Sequence, residues 1–254
     1  MSDALRAVWG AKRLWALHVA ANAVWLAAAY AWLWIPDERI WQLLVSLLGG
    51  ILLATTFFWL HGGTCVFFEQ KHSGWPMPVA TPFRGPLRRV PPLILWGLLA
   101  LLLYWAVGFV ADFVPRAADW LASALTLTLR TPVSPEYTLK FLSTLDWVVE
   151  WILLPLILLP WGAEVAAKGF AGFAGRSVAA AWKVFRRGRY WVSYLVLFAL
   201  GVYVPVQLVH WVPEAESFGG QAASLAARFL AAYLLMVTAR LVLASLLGRL
   251  RRAE

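Results

Sequence analysis

The chain is short of charge. Only 14% of its 254 residues are Asp, Glu, Lys or Arg, and 13 acidic residues face 22 basic ones. A soluble globular domain carries about a quarter of its residues as charges, so this scarcity excludes an ordinary water-solvated surface. Cysteine is scarcer still. The one thiol, Cys65, rules out an intramolecular disulfide, and nothing in the spacing suggests a zinc cluster. Signature motifs are missing as well: no G-x-S-x-G nucleophile elbow, no H-E-x-x-H zinc helix and no phosphate-cradling glycine loop. Hydrolysis and acyl transfer therefore have no basis in the sequence.

What the chain has in quantity is apolar surface. Hydrophobic residues make up 62% of it, the mean hydropathy is +0.70, and 17 tryptophans are present. Tryptophan has an apolar body and one N–H donor and sits well where headgroups meet hydrocarbon. Apolar runs near the length of about 20 residues that crosses a bilayer fall at residues 14–35, 40–60, 93–114, 146–162, 190–211 and 221–247. The expected fold is thus an all-α polytopic bundle of six spans, forming a single transmembrane domain over residues 1–254. The apolar N-terminal run begins like a signal peptide but continues past it with no cleavage site, so it is expected to stay as the first span. The fourth run carries Pro155 and Pro160, which predict a kink and not the loss of the span.

Charge placement sets the expected orientation. Sixteen cations fall in residues 6–13, 71–89, 168–189 and 249–252, against four (Arg39, Arg116, Arg130, Lys140) in the alternate segments. The positive-inside rule then puts both termini in the cytoplasm, with loops 61–92 and 163–189 beside them and segment 115–145 outside. The expected location is the membrane, with a bacterial cytoplasmic membrane as the compartment. Because the cations lie beside apolar runs, their partners are expected to be lipids with anionic headgroups, not nucleic acid.

The connections carry their own signals. Phe170, Phe173, Ser177, Val178, Ala181, Trp182 and Phe185 recur at helical spacing, with Lys168, Arg176, Lys183 and Arg187 elsewhere on the wheel. This predicts an amphipathic helix on the inner leaflet. Residues 117–130 admit a short interfacial helix or, from the alternation Leu125, Leu127, Leu129, a strand. Ser134, Pro135 and Glu136 read as an N-cap, a first-turn proline and a first-turn acid. Arg88–Arg89 and Val114–Pro115 are matched 98 residues later by Arg186–Arg187 and Val212–Pro213, either a faint repeat or the common pattern of any basic-flanked span.

Candidate sites follow from the cost of ionisable groups in a bilayer. Arg228, with Glu150 and Asp112 at comparable depth, is expected to form a buried ion pair or, failing that, to snorkel or to mark a substrate or ion site. Glu164 and Arg240 near the inner boundary admit the same readings, with snorkelling favoured for the arginine. If a helix ran through His61, Cys65, Glu69 and His72, the four would share an arc of about 80°, a possible metal ligand set. Against it, Gly62–Gly63 would cost that helix about 2 kcal/mol, and the plainer expectation is that the span ends there. His18 and His61 lie at similar depth on neighbouring spans, the arrangement that holds a haem b. The expected function is a non-catalytic subunit that scaffolds or anchors a membrane complex, with a protein partner or a second copy of the chain. A small-solute or lipid transporter is the alternative, and a metal- or haem-dependent enzyme the second alternative.

Overall fold

The computed structural model describes residues 2–72, 78–80, 83, 86–213 and 217–252. Within them every regular element is helical, and six helices are long and apolar enough to cross a membrane: Lys12–Leu33, Ile40–Lys71, Val90–Ala111, Pro135–Phe173, Gly188–His210 and Phe218–Arg251. Arg84, Glu214 and Glu216, which entered the charge pattern, lie outside the described residues. In chain order the helices are α1 (Ser2–Trp9), α2 (Lys12–Leu33), α3 (Ile40–Lys71), α4 (Val90–Ala111), α5 (Val114–Leu129), α6 (Pro135–Val148), α7 (Leu154–Lys168), α8 (Gly175–Phe185), α9 (Gly188–Phe198), α10 (Val204–His210) and α11 (Phe218–Arg252).

The chain divides into two compact units, one of residues 1–94 with 160–254 and one of residues 95–159. In the first, α2 and α3 form the expected tight hairpin. Helix α2 stops before Pro36, and α3 starts with the Gln42 side chain accepting the Arg39 N–H at 2.8 Å, which satisfies a donor the helix itself leaves free. Two indoles stitch the hairpin: Trp25 donates to Leu53 O at 2.9 Å and Trp32 to Ser46 O at 2.7 Å. Gly49 and Gly50 are there for Trp32, since a Cβ on Gly49 would stand 2.9 Å from its ring.

Helix α3 does not end at residue 60. It runs through Gly62–Gly63 to Lys71, because both glycines receive large side chains: a Cβ would meet Leu93 Cδ1 at 2.5 Å and the Phe83 ring at 2.7 Å. Packing at this closeness offsets a propensity cost of about 2 kcal/mol. The first third of the expected 61–92 loop is therefore helix, with Gly62, Gly63, Thr64, Val66, Phe67 and Phe68 buried.

The two prolines that follow mid-span breaks share one solution. A proline lacks an N–H and its ring clashes with the carbonyl four residues back. Residues Val149–Leu153, just before Pro155, and Ala199–Tyr203, just before Pro205, both widen to a π-helical turn. That shifts the hydrogen-bond register where the proline would break it. The 98-residue match weakens accordingly: α4 is uninterrupted where its counterpart is broken, and Val114–Pro115 opens a helix while Val212–Pro213 follows one.

The second unit contains the segment expected outside the membrane. Residues 114–129 are helix α5 and not a strand; the chain turns on Arg130, whose φ of 54° is left-handed. Ser134 caps α6 as its spacing predicts, accepting from Glu136 N at 3.2 Å. The single Thr138 hydroxyl proton is shared between Pro135 O at 2.8 Å and Ala118 O at 3.0 Å, and the second contact brings α5 against α6. The fourth membrane-length helix accordingly starts at Pro135, well before residue 146.

Between α7 and α8, residues Gly169–Phe173 form a 3₁₀ turn, and Gly169 takes a φ of 63°. Gly172 presses on backbone, with Val165 Cα 2.5 Å from where its Cβ would be.

Candidate functional site

The metal-ligand arc takes shape as a helix and then comes apart as a site. His61 packs against Phe57 and His18, with ring centroids 4.2 and 5.4 Å away. Glu69 is engaged by Arg251 at 2.9 Å. His72 reaches across to Ser245 on α11, 3.1 Å from both its hydroxyl and its carbonyl. Cys65 sits alone between them. Four positions on one arc of a 32-residue helix are strung along its axis, so each meets a different neighbour. Among the described residues no three of His, Cys, Asp or Glu are placed to hold one metal ion.

Nor do His18 and His61 offer the two free nitrogens a haem iron takes. Thr64 Oγ1 donates its one proton to Leu60 O at 2.7 Å, so it accepts from His18 Nε2 at 2.6 Å. His18 Nδ1 is then the acceptor for Asn22 Nδ2 at 3.3 Å, and Asn22 also donates to His18 O at 2.8 Å. Both imidazole nitrogens are spent on a buried chain that ties α2 to α3. His61 differs, because its Nε2 is sealed from solvent with no hydrogen-bond partner among the described residues.

Arg228 is buried, and among the described residues it has no ion pair. Its guanidinium donates to the carbonyls of Val209 at 3.1 Å, Leu208 at 3.4 Å and Trp211, and Nε to Ser224 O at 3.3 Å. The carbonyls of Leu208, Val209 and Trp211 are the unsatisfied acceptors at the C-terminal end of α10, where a cation also meets the negative end of the helix dipole. Arg228 therefore caps α10. Asp112 and Glu150 belong to the other unit, Asp112 exposed beyond α4 and Glu150 half-buried in the π turn before α7.

The strongest ionic cluster lies elsewhere. Arg251, near the end of α11, donates to Glu164 of α7 at 2.6 Å and to Glu69 of α3 at 2.9 Å; Lys168 holds the other Glu164 oxygen at 2.7 Å. The side chains of Arg251 and Glu164 are only 7% and 4% exposed. Helix α1 joins the same end of the bundle through Asp3 with Arg249 at 2.6 Å and Lys71 with Ala7 O at 2.7 Å. This basic end is a locked platform made of α1, the last turns of α3 and α11, and α7 with α8. Its outer surface carries exposed Arg6, Lys12, Arg13, Arg176, Lys183, Arg186 and Arg189.

A cavity of about 630 Å³ opens between α2, α3, α10 and α11 in the same unit. Arg240 lines it toward the basic end and His210 toward the other, with Trp25, Phe57, Phe229 and Met236 among its walls. The sequence draws notice to Arg240 chiefly as a snorkelling cation, and Arg251 only as one more basic residue at the end of the chain. Arg251 lies 11 residues beyond Arg240 on the same helix, and nothing in that spacing shows that one is paired while the other has no ion-pair partner among the described residues. No known protein family, curated protein or solved structure matches the chain.

Proposed function

We propose that this chain is a non-catalytic integral-membrane component that anchors a partner complex at the cytoplasmic face. The locked basic platform carries the reading. Its internal ions neutralise one another, in the Arg251, Glu164, Glu69 and Lys168 cluster, while seven further cations remain exposed around it. A rigid surface with an excess of one charge favours an acidic partner and speeds its docking. His18, His72, Glu69 and Glu164 are spent on ties between helices, which suits a protein whose spans do no chemistry.

The same excess sets the orientation by the positive-inside rule, with both termini and the platform in the cytoplasm. Helix α8 then lies at the inner interface. It buries Ser177, Ala181 and Val184 inward, exposes Val178 and Trp182 on one flank, and carries Arg176 and Lys183 on the other. Apolar side chains beside cations on an exposed helix suit the boundary of an anionic leaflet.

The test is purification in mild detergent from cells expressing the chain at its native level. A stoichiometric partner that is lost on substituting Arg6, Arg13, Lys183 and Arg186 by Ser supports the reading; an isolated monomer in both cases removes it. A lipid or small-solute carrier is the second reading, and the cavity beside Arg240 favours it.

A further inference from the structure

We propose that the cavity beside Arg240 is a binding site for a single-chain anionic amphiphile, with a carboxylate or phosphate headgroup on the Arg240 guanidinium and one acyl or isoprenoid chain along α11. The inference holds for a scaffold and for a carrier alike. It starts from an imbalance in the lining. Asn22, Trp25, Tyr233 and His210 all line the cavity, and each donates to a backbone carbonyl: His18 O, Leu53 O, Val19 O and Val206 O respectively. Arg240 is the permanent cation of the lining. Among the described residues it has neither a carboxylate within ion-pair distance nor a hydrogen-bond acceptor. Arginine cannot discharge itself by losing its proton, and Arg240 is exposed at the edge of the apolar cavity, so its guanidinium is free to take an anion from outside the chain.

Two imidazoles near Arg240 supply no countercharge. Arg240 is close enough to His18 and His61 for its charge to act on both imidazoles. His61 is not part of the lining, and its Nε2 is sealed from solvent with no hydrogen-bond partner among the described residues.

Size and shape select the tail. From Phe229 to Arg240 the lining follows α11 for 11 residues, about 16 Å at 1.5 Å per residue. That is about half the thickness of a bilayer's hydrocarbon core. At about 30 Å³ for a water-sized group, a volume of 630 Å³ holds about 20 such groups. One long chain and a small headgroup fit this figure. Depth agrees with the polarity. Arg240 is 22 residues from Phe218, about 33 Å along the helix, at the limit of a hydrocarbon core about 30 Å thick. The headgroup therefore meets the interface on the platform side while the tail reaches toward the bilayer centre.

The experiment is equilibrium binding to the full chain purified in detergent, with radiolabelled palmitate, hexadecyl phosphate, hexadecanol and inorganic phosphate as separate probes. Saturable binding of palmitate or hexadecyl phosphate near one per chain is expected, and whichever binds tighter identifies the headgroup. Hexadecanol and inorganic phosphate are each expected to bind at least tenfold more weakly. Arg240→Gln should reduce affinity for the anionic probe at least tenfold. Met236→Trp, which narrows the cavity and leaves the guanidinium in place, should do the same while the melting curve stays close to the parent's. Equal binding of hexadecanol, absence of saturable binding in the parent chain, or undiminished binding by both variants overturns the proposal. Tighter binding of dioleoyl phosphatidylglycerol than of palmitate or hexadecyl phosphate overturns the single-chain assignment.

Discussion

Arg251 and Glu164 meet at 2.6 Å with their side chains 7% and 4% exposed, and this contact joins the last helix of the chain to α7. An ion pair so deeply placed is not itself strong evidence of stabilisation, because desolvation offsets much of the attraction. Removing one partner is another matter. Arg251→Met would leave Glu164 with Lys168 alone and Glu69 with no guanidinium. The expected loss is about 3 kcal/mol, the lower end of the range for a broken buried pair, because Lys168 remains at 2.7 Å. Denaturant unfolding in detergent measures it. Adding Glu164→Gln to Arg251→Met should recover part of the loss, since the uncompensated charge is then gone; no recovery would show that the pair contributes through shape and not through charge.

Gly248 sets how closely α3 and α11 approach. A Cβ there would stand 2.9 Å from Glu69 N and 3.1 Å from Phe68 C, both backbone atoms that cannot swing aside. Gly248→Ala is therefore expected to cost about 1–3 kcal/mol, the range for overpacking a tight contact, and Gly248→Leu to prevent assembly of the platform. Gly108, on a helix of the same kind, has nothing within 4 Å of its would-be Cβ. Gly108→Ala should leave the melting temperature unchanged or raise it slightly, by the better helix propensity of alanine.

Arg228 offers a clean separation of structure from chemistry. If it caps α10, Arg228→Met should lower stability by about 1–3 kcal/mol through the carbonyls it leaves unsatisfied, and Arg228→Lys should restore part of that. Binding of an anionic amphiphile at Arg240 should survive both changes in the fraction that stays folded. Thermal melts and ligand binding on the same preparations distinguish the two roles. Loss of binding without loss of stability would return Arg228 to the list of ligand contacts.

The sequence was most informative where one physical term dominated. Hydrocarbon thickness fixed the number of membrane-length helices, and the Ser134 cap was readable because a capping side chain acts on its own neighbours. Errors arose where a distant residue decided the outcome. Gly62 and Gly63 read as a helix end by propensity, yet Leu93 and Phe83 fill the space they leave and the helix continues. Residues 117–130 admitted a short helix or, by the Leu125, Leu127, Leu129 alternation, a strand, and the segment is helix α5. Arg228 was visible as a buried cation, while its partners were not, because backbone carbonyls at a helix end carry no sequence signature. The arc from His61 to His72 shows the opposite failure. Angular position on a helix was correct, and axial separation sent each side chain to a different neighbour.

Orientation is open to a direct measurement because the chain has one cysteine. Replacing it, Cys65→Ala, gives a thiol-free background at a small cost in buried volume. Into this background Asp37→Cys tests the α2–α3 turn and Arg186→Cys the basic end; both positions are exposed. In intact cells a membrane-impermeant maleimide is expected to label the residue 37 thiol at once and the residue 186 thiol only after permeabilisation. Arg130→Cys, at the exposed left-handed turn after α5, should behave like residue 37. The physical reason is the cost of carrying the platform's exposed cations across the bilayer, against the single cation, Arg39, of the opposite turn. Labelling of residue 186 and protection of residue 37 in intact cells would invert the molecule. The platform would then face away from the cytoplasm, and an acidic cytoplasmic partner could not be what it holds.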